Sequence, residues 1–417
     1  RRNGIIHSFL LKYAFYFNRF IGSVFKNIIK IGIDCCGWGN CFYICKKDAI
    51  TLKTDDEGFI HPFVNYNCVD CGACLNVCPQ TKEVQTIDNQ QAYIVLTKDA
   101  NIKKLSASGG VFGTVAKSLV NEKNAYVCAA SFVEGAVRHI ITQDYSDIKK
   151  CQGSKYVQSS LEDCLPKIKG ILKDKQKTVL FCGTPCQVAA VYSFLGERPS
   201  NLYTLDLICH GVPSPLFFLK DLKHYCKHPE RLSDVRFRWR NPMSNEGKSS
   251  FILSIEKQNM SRLYSSSYDP YFATFMKGES FRLSCYQCHY ANLNRVGDIT
   301  IGDCDSAKLY PNFHPNESKS SIIVNNSNGT YLWSMVKKNF FYTYLDLQYE
   351  AEINHQLSIP FKKPSSRSQI YNDAKKMSYW KFKSKYAAPT TIRQKVLAIV
   401  QTYIPFAYKW IIQRTLK

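Results

Sequence analysis

The chain has 417 residues, 55 Lys/Arg against 33 Asp/Glu, a formal net charge of +22 and 18 cysteines; it is too long for one small domain and can bury at least one sizeable core. Residues 1–30 hold six Lys/Arg and no acid, and residues 362–417 hold thirteen against Asp373 alone, so the two ends carry eighteen of the twenty-two charges. A nucleic-acid enzyme is expected to carry its basic stripe on the catalytic body, interleaved with stacking aromatics, so nucleic acid is not an expected partner.

Residues 1–30 read as a basic amphipathic segment. From Ile5 to Ile31, Lys12, Arg19, Lys26 and Lys30 share a narrow helical sector, while Phe9, Leu10, Phe15, Phe17, Ile21 and Phe25 cover much of the rest. That pattern suits either an interfacial helix on an anionic leaflet or a helix packed on the protein's own core. Lys12 interrupts the apolar stretch after Arg1-Arg2, so a twin-arginine export signal is not expected.

Residues 31–90 carry the strongest signal. Cys68, Cys71, Cys74 and Cys78, followed by Pro79, form the C-x-x-C-x-x-C-x-x-x-C-P run with which bacterial-type ferredoxins grip a cubane iron–sulfur cluster. Three thiolates on a tight loop cap three corners of one cube, and the fourth serves a neighbouring cube. A zinc knot would use two separated pairs instead. Upstream, Cys35, Cys41 and Cys45 fit the same frame, with Trp38 where the second Cys belongs. Crossed ligation then gives a complete 4Fe-4S cube on Cys45, Cys68, Cys71 and Cys74, and leaves its partner with only Cys35, Cys41 and Cys78. Three outcomes stay open for that partner: a three-iron cluster, a cubane completed by the out-of-frame Cys36, or an empty lobe. Ala49-Ile50 and the stretch from Gly58 to Asn65 read as the strands and turns of the two-cluster ferredoxin fold. Cluster spacing demands reduced thiols, so a cytoplasmic location is expected, with Cys128 and Cys164 as ordinary buried thiols.

From Gln91 to residue 345, short apolar runs alternate with helical stretches, the pattern of an α/β core. Strands are expected at Ala125–Ala130, Thr178–Cys182 and Leu202–Ile208, and helices at Val111–Val120, Pro185–Leu195 and Pro215–Cys226. Ligands in such sheets collect at strand-to-helix turns. Ser108-Gly109-Gly110 opens a helix and Gly153-Ser154-Lys155-Tyr156 makes a second small-residue turn; Gly183-Thr184-Pro185-Cys186-Gln187 and Cys209-His210-Gly211 follow two of the strands. Backbone N–H groups there can approach a phosphate, although G-x-G-x-x-G is absent. Cys285 and Cys288 form an isolated C-x-x-C that needs two more ligands, for which Cys186 and Cys209 are the candidates; a further cubane, zinc or unrelated buried thiols all remain open from spacing alone.

Residues 346–417 read as a basic tail with a second amphipathic helix from Thr391 to Lys417, kinked at Pro405. No apolar run reaches the length of a bilayer span, so any membrane association would be peripheral, at the inner face.

Taken together, Ser108-Gly109-Gly110, Gly153 to Ser159, Gly183 to Gln187, Asp206 to Pro215, the Cys285/Cys288 pair and Arg295 to Asp303 closely resemble the beta-subunit family of coenzyme F420 (deazaflavin) hydrogenases and dehydrogenases, over about residues 31–345. The resemblance implies an α+β ferredoxin-like 4Fe-4S domain followed by a larger α/β flavin-binding domain. It implies FAD held by Ser108, Gly109, Gly110, Gly153, Ser154, Lys155, Tyr156, Gly183, Thr184, Pro185, Gln187 and Gly211, and a cluster on Cys186, Cys209, Cys285 and Cys288. A flavin converts one-electron into two-electron chemistry, which suggests an oxidoreductase that passes electrons between a ferredoxin-like or deazaflavin carrier and an organic substrate, as in cell-surface polysaccharide synthesis. His210 and Lys155 are the catalytic candidates, His210 because imidazole supplies a proton near neutral pH. The alternative is an electron-transfer subunit with no substrate of its own. Asp298 and Asp303 read as turn formers, and Cys304 departs from the aromatic residue common in the family.

Overall fold

The computed structural model describes residues 26–84, 87, 89–240, 248–257 and 260–387; residues 1–25 of the expected N-terminal amphipathic segment, and the expected helix from Thr391 onward, lie outside the described residues. Among the described residues, no helix is long and apolar enough to cross a membrane.

All five residues of Val179–Gly183 are buried, as are the first five of Leu202–Leu207, the mark of strands covered on both faces. They sit at the centre of an eight-stranded sheet whose spatial order is Phe340–Tyr344, Gln91–Thr97, Ser320–Val324, Ile299–Asp303, Leu202–Leu207, Val179–Gly183, Tyr126–Val133 and Ala136–Thr142. Four neighbouring strands, from Ile299–Asp303 to Tyr126–Val133, run parallel; the strands flanking them pair antiparallel. The Tyr126 strand runs past the expected Ala130, then reverses at Glu134 and Gly135, whose φ values of 50° and 81° suit a two-residue hairpin.

Alternate residues of the central strands feed two cores. Leu180 and Cys182 pack with Val115, Leu119 and Trp333 on one face, and Val179 and Phe181 with Ile168, Leu172 and Val188 on the other. The helices over these faces include Val111–Lys123 and Pro185–Leu195. Between the Leu202 and Ile299 strands the chain inserts a three-stranded sheet (Met260–Ser265, Ile252–Lys257, Asp234–Arg236) and helices Pro215–Tyr225 and Pro270–Met276. An aromatic core of Phe217, Phe218, Phe237, Tyr271 and Phe272 fills this insertion, and Ile370, Tyr371 and Phe382 from helices Arg367–Lys376 and Tyr379–Tyr386 close it.

The cysteine-rich N-terminal unit is small. Ile50–Thr54 and Ile60–Val64 form an antiparallel hairpin, with Ile50 opposite Val64. Short helices Asn40–Ile44 and Ala73–Asn76 each start after a left-handed glycine, Gly39 and Gly72. The preceding segment forms a 3₁₀ stretch, Ile28–Asp34, capped by Asn27. This unit docks on helix Pro185–Leu195 through Asn40, whose Nδ2 donates to Ala190 O at 2.8 Å, and on a neighbouring loop through Tyr290, whose hydroxyl donates to Pro79 O at 2.6 Å.

Candidate functional site

Parallel strands end on one edge of their sheet, and the turns beyond that edge present cysteines here. Thr184-Pro185-Cys186 follows the Val179 strand and Ile208-Cys209-His210 follows its neighbour. Thr184 N–H donates to Gln187 Oε1 at 2.9 Å, and Gln187 Nε2 donates to Ser159 Oγ at 3.0 Å, which fixes the turn that presents Cys186. An antiparallel bridge between Pro213 and Phe281, with Arg282 N–H donating to Val212 O at 2.9 Å, draws in the turn Leu283–Gln287 that carries Cys285. Three distant segments thus deliver Cys186, Cys209, Cys285 and Cys288 to one place.

These four thiols are half-exposed yet hemmed in by protein, as on the floor of a recess. Burial, reinforced by neighbouring thiols, pushes Cys285 up to about 12 and Cys288 to about 11, and raises Cys209 well above the ordinary thiol value. Cys186 moves the other way, to about 7, because it accepts a hydrogen bond from Cys36 and another from Thr184, with the Trp38 indole beside it. Among the described residues, no group of three His, Cys, Asp or Glu side chains is gathered tightly enough for a single metal ion. The donor set of the recess is nonetheless all thiol, the chemistry that suits iron–sulfur ligation.

In the N-terminal unit, Cys35, Cys41 and Cys78 come together. Burial raises Cys41, with Cys35 and Cys78 adding to it, and takes Cys78 to about 11. Cys74 borders this set and also faces Cys68. Cys45 packs on the same small core, whereas Cys71 is exposed. Burial alone would raise Cys35, but a hydrogen bond from His61 and the Arg282 guanidinium outweigh it and lower the thiol. His61 is in turn held by Asp55 at 3.1 Å. Nothing in the strand residues around His61 marks it as a thiol partner; only the hairpin register brings it there. Cys36 turns its thiol to Cys186 and Cys288, away from the front set it would have had to complete.

The small-residue turns are tightly built. A Cβ on Gly109 would run into Val95 O and lie 2.6 Å from Ser320 N, and Gly110 adopts φ +85° at the start of helix Val111–Lys123. Ser108 Oγ shares a 2.6 Å hydrogen bond with Ser320 Oγ. A Cβ on Gly211 would enter the Phe281 ring, and one on Gly183 would meet Gln187. Internal packing therefore accounts for these glycines without a ligand. Lys155 donates to Lys150 O at 3.2 Å and Gln152 O at 3.1 Å, carbonyls at the C-terminal end of helix Tyr145–Cys151. Tyr156 stacks on Phe275 at 4.3 Å, and Ser154 and Arg238 hydrogen-bond its hydroxyl. His210 is exposed yet partly desolvated, which lowers it against the opposing pull of Asp303. Lys155 faces Asp234, so the two catalytic candidates are not brought onto a common partner.

Arginines that the sequence did not single out border the same region. Arg240 donates to Ser106 O and Ser108 O, and Arg238 pairs with Asp303. Arg238 Nε and Arg240 Nη1 are buried without a hydrogen-bond partner. Their signal in the sequence was only two basic residues within a three-residue stretch. Asp206 and Asp298 are structural: Asp206 accepts from Val296 N, Gly297 N and Arg295, and Asp298 accepts from Thr204 N at 2.8 Å. Cys304 is buried beside Ser306 and Glu350.

Residues 176–347 match the family described as the C terminus of the coenzyme F420 hydrogenase/dehydrogenase beta subunit. No curated protein matches the chain. Among solved structures, a chain of the F420-reducing [NiFe] hydrogenase complex from Methanosarcina barkeri is similar at 12% identity and a TM-score of 0.41, covering 77% of this chain and 94% of that one. The matched span contains all four thiols of the recess, so it is this part of the chain, residues 176–347, that is similar to the C terminus of the coenzyme F420 hydrogenase/dehydrogenase beta subunit.

Proposed function

We propose that this chain is an iron–sulfur electron-transfer subunit of the hydrogenase/dehydrogenase class, working against a partner protein. The observation that carries the reading is the convergence of Cys186, Cys209, Cys285 and Cys288 beside a second thiol set in a docked N-terminal unit. Clusters bound at such thiols supply one-electron transfer. The chain's own residues do the rest: Cys45, Cys68, Cys71 and Cys74 hold the outer site, Cys35, Cys41 and Cys78 the incomplete one, and the recess thiols the inner one. Arg282 supplies positive charge beside Cys35 and pins the loop between the sets.

FAD is the proposed occupant of the region bordered by Ser108, Tyr156, Arg238 and His210. Arg238 Nε, buried without a hydrogen-bond partner, and Arg240, whose Nη1 has Glu317 at 3.7 Å, suit an anionic group such as a flavin phosphate. They also favour a second reading, a flavin-dependent oxidoreductase with its own organic substrate, in polysaccharide synthesis for example. A ferredoxin-like protein is the proposed electron donor or acceptor in both. Anaerobically purified full chain, mixed with reduced ferredoxin, separates the two. Oxidation of the donor only after a second polypeptide is added supports the subunit; oxidation by the chain and a small organic acceptor alone supports the enzyme.

A further inference from the structure

Cys35 and Cys36 are adjacent in the chain, yet their thiols belong to different sets. Cys35 lies with Cys41 and Cys78. Cys36 is hydrogen-bonded to Cys186, has Cys288 close by, and packs in the same core as both. The backbone that splits them is locked. Arg282 Nε donates to Cys35 O at 2.7 Å, and Gln158 Nε2 donates to Cys36 O at 2.9 Å. Gly37 follows with φ +76°, and a Cβ there would meet Ile60 O at 2.5 Å. Gln80 Nε2 reaches the Cys36 sulfur from the other side.

A second observation points to a ligand at the same spot. Trp38, which replaces the expected cysteine, is 6% exposed. Its indole N–H has no conventional hydrogen-bond partner, yet it faces Cys186 closely enough to steady a thiolate. A buried unpaired N–H is costly and calls for an acceptor; electron-rich sulfur supplies one.

We propose that Cys36 is a fifth thiol of the inner site, competent to ligate iron there in place of Cys186, so that the Cys35–Cys36 peptide joins the two thiol sets. The inference rests on the inner-site reading given under the proposed function. Ligation by Cys36 forms one iron–sulfur bond in place of the bond to Cys186 and releases the Cys36 thiol proton to solvent.

The test is iron content and the low-temperature spin-resonance spectrum of anaerobically purified full-length variants. Cys285→Ser/Cys288→Ser first establishes the inner site, by losing about four irons per chain; if it keeps them, the inner-site reading itself fails. Given that loss, Cys186→Ser is expected to retain wild-type iron to within about one atom, and Cys186→Ser/Cys36→Ser to lose about four. Equal loss from the single and double variants overturns the proposal, as does full retention in the double. If Cys186→Ser does not fold, Cys36→Ser alone decides. Its iron content should be unchanged while the signal absent from Cys285→Ser/Cys288→Ser shifts in g value; an unshifted signal overturns the proposal.

Discussion

Arg295 and Asp206 lie in two of the motifs that carry the family resemblance, and both are buried, at 1% and 0% side-chain exposure. Their work is structural. Arg295 donates to Tyr290 O, Asn292 O and Leu207 O, while Asp206 accepts two backbone N–H groups. Breaking one partner of such a pair leaves an uncompensated buried charge, so Arg295→Met should lower stability by about 3–5 kcal/mol, read as a denaturant midpoint. Unchanged stability with lost electron transfer would instead make it a functional residue. The contrast with the thiols shows what the sequence can disclose at this scale. Cys68, Cys71, Cys74 and Cys78 stand out in the sequence because a cluster-ligand spacing is written within eleven consecutive residues. The partner of Cys36 does not, because only a turn locked by Arg282 and Gln158 aims its thiol at Cys186.

The helix Pro185–Leu195 was readable to the residue because its ends are marked locally, by Pro185 at the first position and Gly196 at φ +81° after the last. The inserted sheet was not read at all. Asp234–Arg236 is only three residues long, and its strand character comes from pairing with Ile252–Lys257 rather than from its own pattern. Residues 367–386 read as a basic tail because charge reports only the solvent face, while Ile370, Tyr371 and Ala374 pack inward. Two predictions belong to this scale. Gln187→Ala removes the acceptor for Thr184 N–H and the donor to Ser159, and should cost about 1–3 kcal/mol, with loss of inner-site iron as the Cys186 turn loosens; full iron retention would contradict that role. The second concerns Asp221 of helix Pro215–Tyr225, which hydrogen-bonds Asp269, the cap of helix Pro270–Met276. Burial, then the Asp269 charge, raises Asp221 above its unfolded value of about 3.9. The folded state therefore holds that proton more tightly. This stabilisation is complete below about pH 3.9 and disappears as pH climbs through the folded value. Asp221→Asn should flatten the fall in melting temperature between about pH 4 and pH 8; parallel curves for variant and wild type would contradict it.

Across the whole molecule, the N-terminal unit is clamped to the body at the turn end of its hairpin. Arg282 donates to Ile60 O at 2.7 Å, and the buried Arg367 holds Glu57 in two hydrogen bonds of 2.9 and 2.6 Å. Arg367→Met should weaken the clamp by about 3 kcal/mol and raise hydrogen exchange over residues 50–64 before the large sheet is affected. Exchange that rises uniformly would show that the unit is not held there. Such clamping matters because the proposed relay between the thiol sets would depend on their fixed juxtaposition. Whether these thiols hold clusters at all is decided by metal and acid-labile sulfide analysis of the anaerobically purified chain. Iron and sulfide in near-equal amounts, at least about eight of each per chain, are expected. Protein that binds zinc alone, or no metal, would contradict the relay.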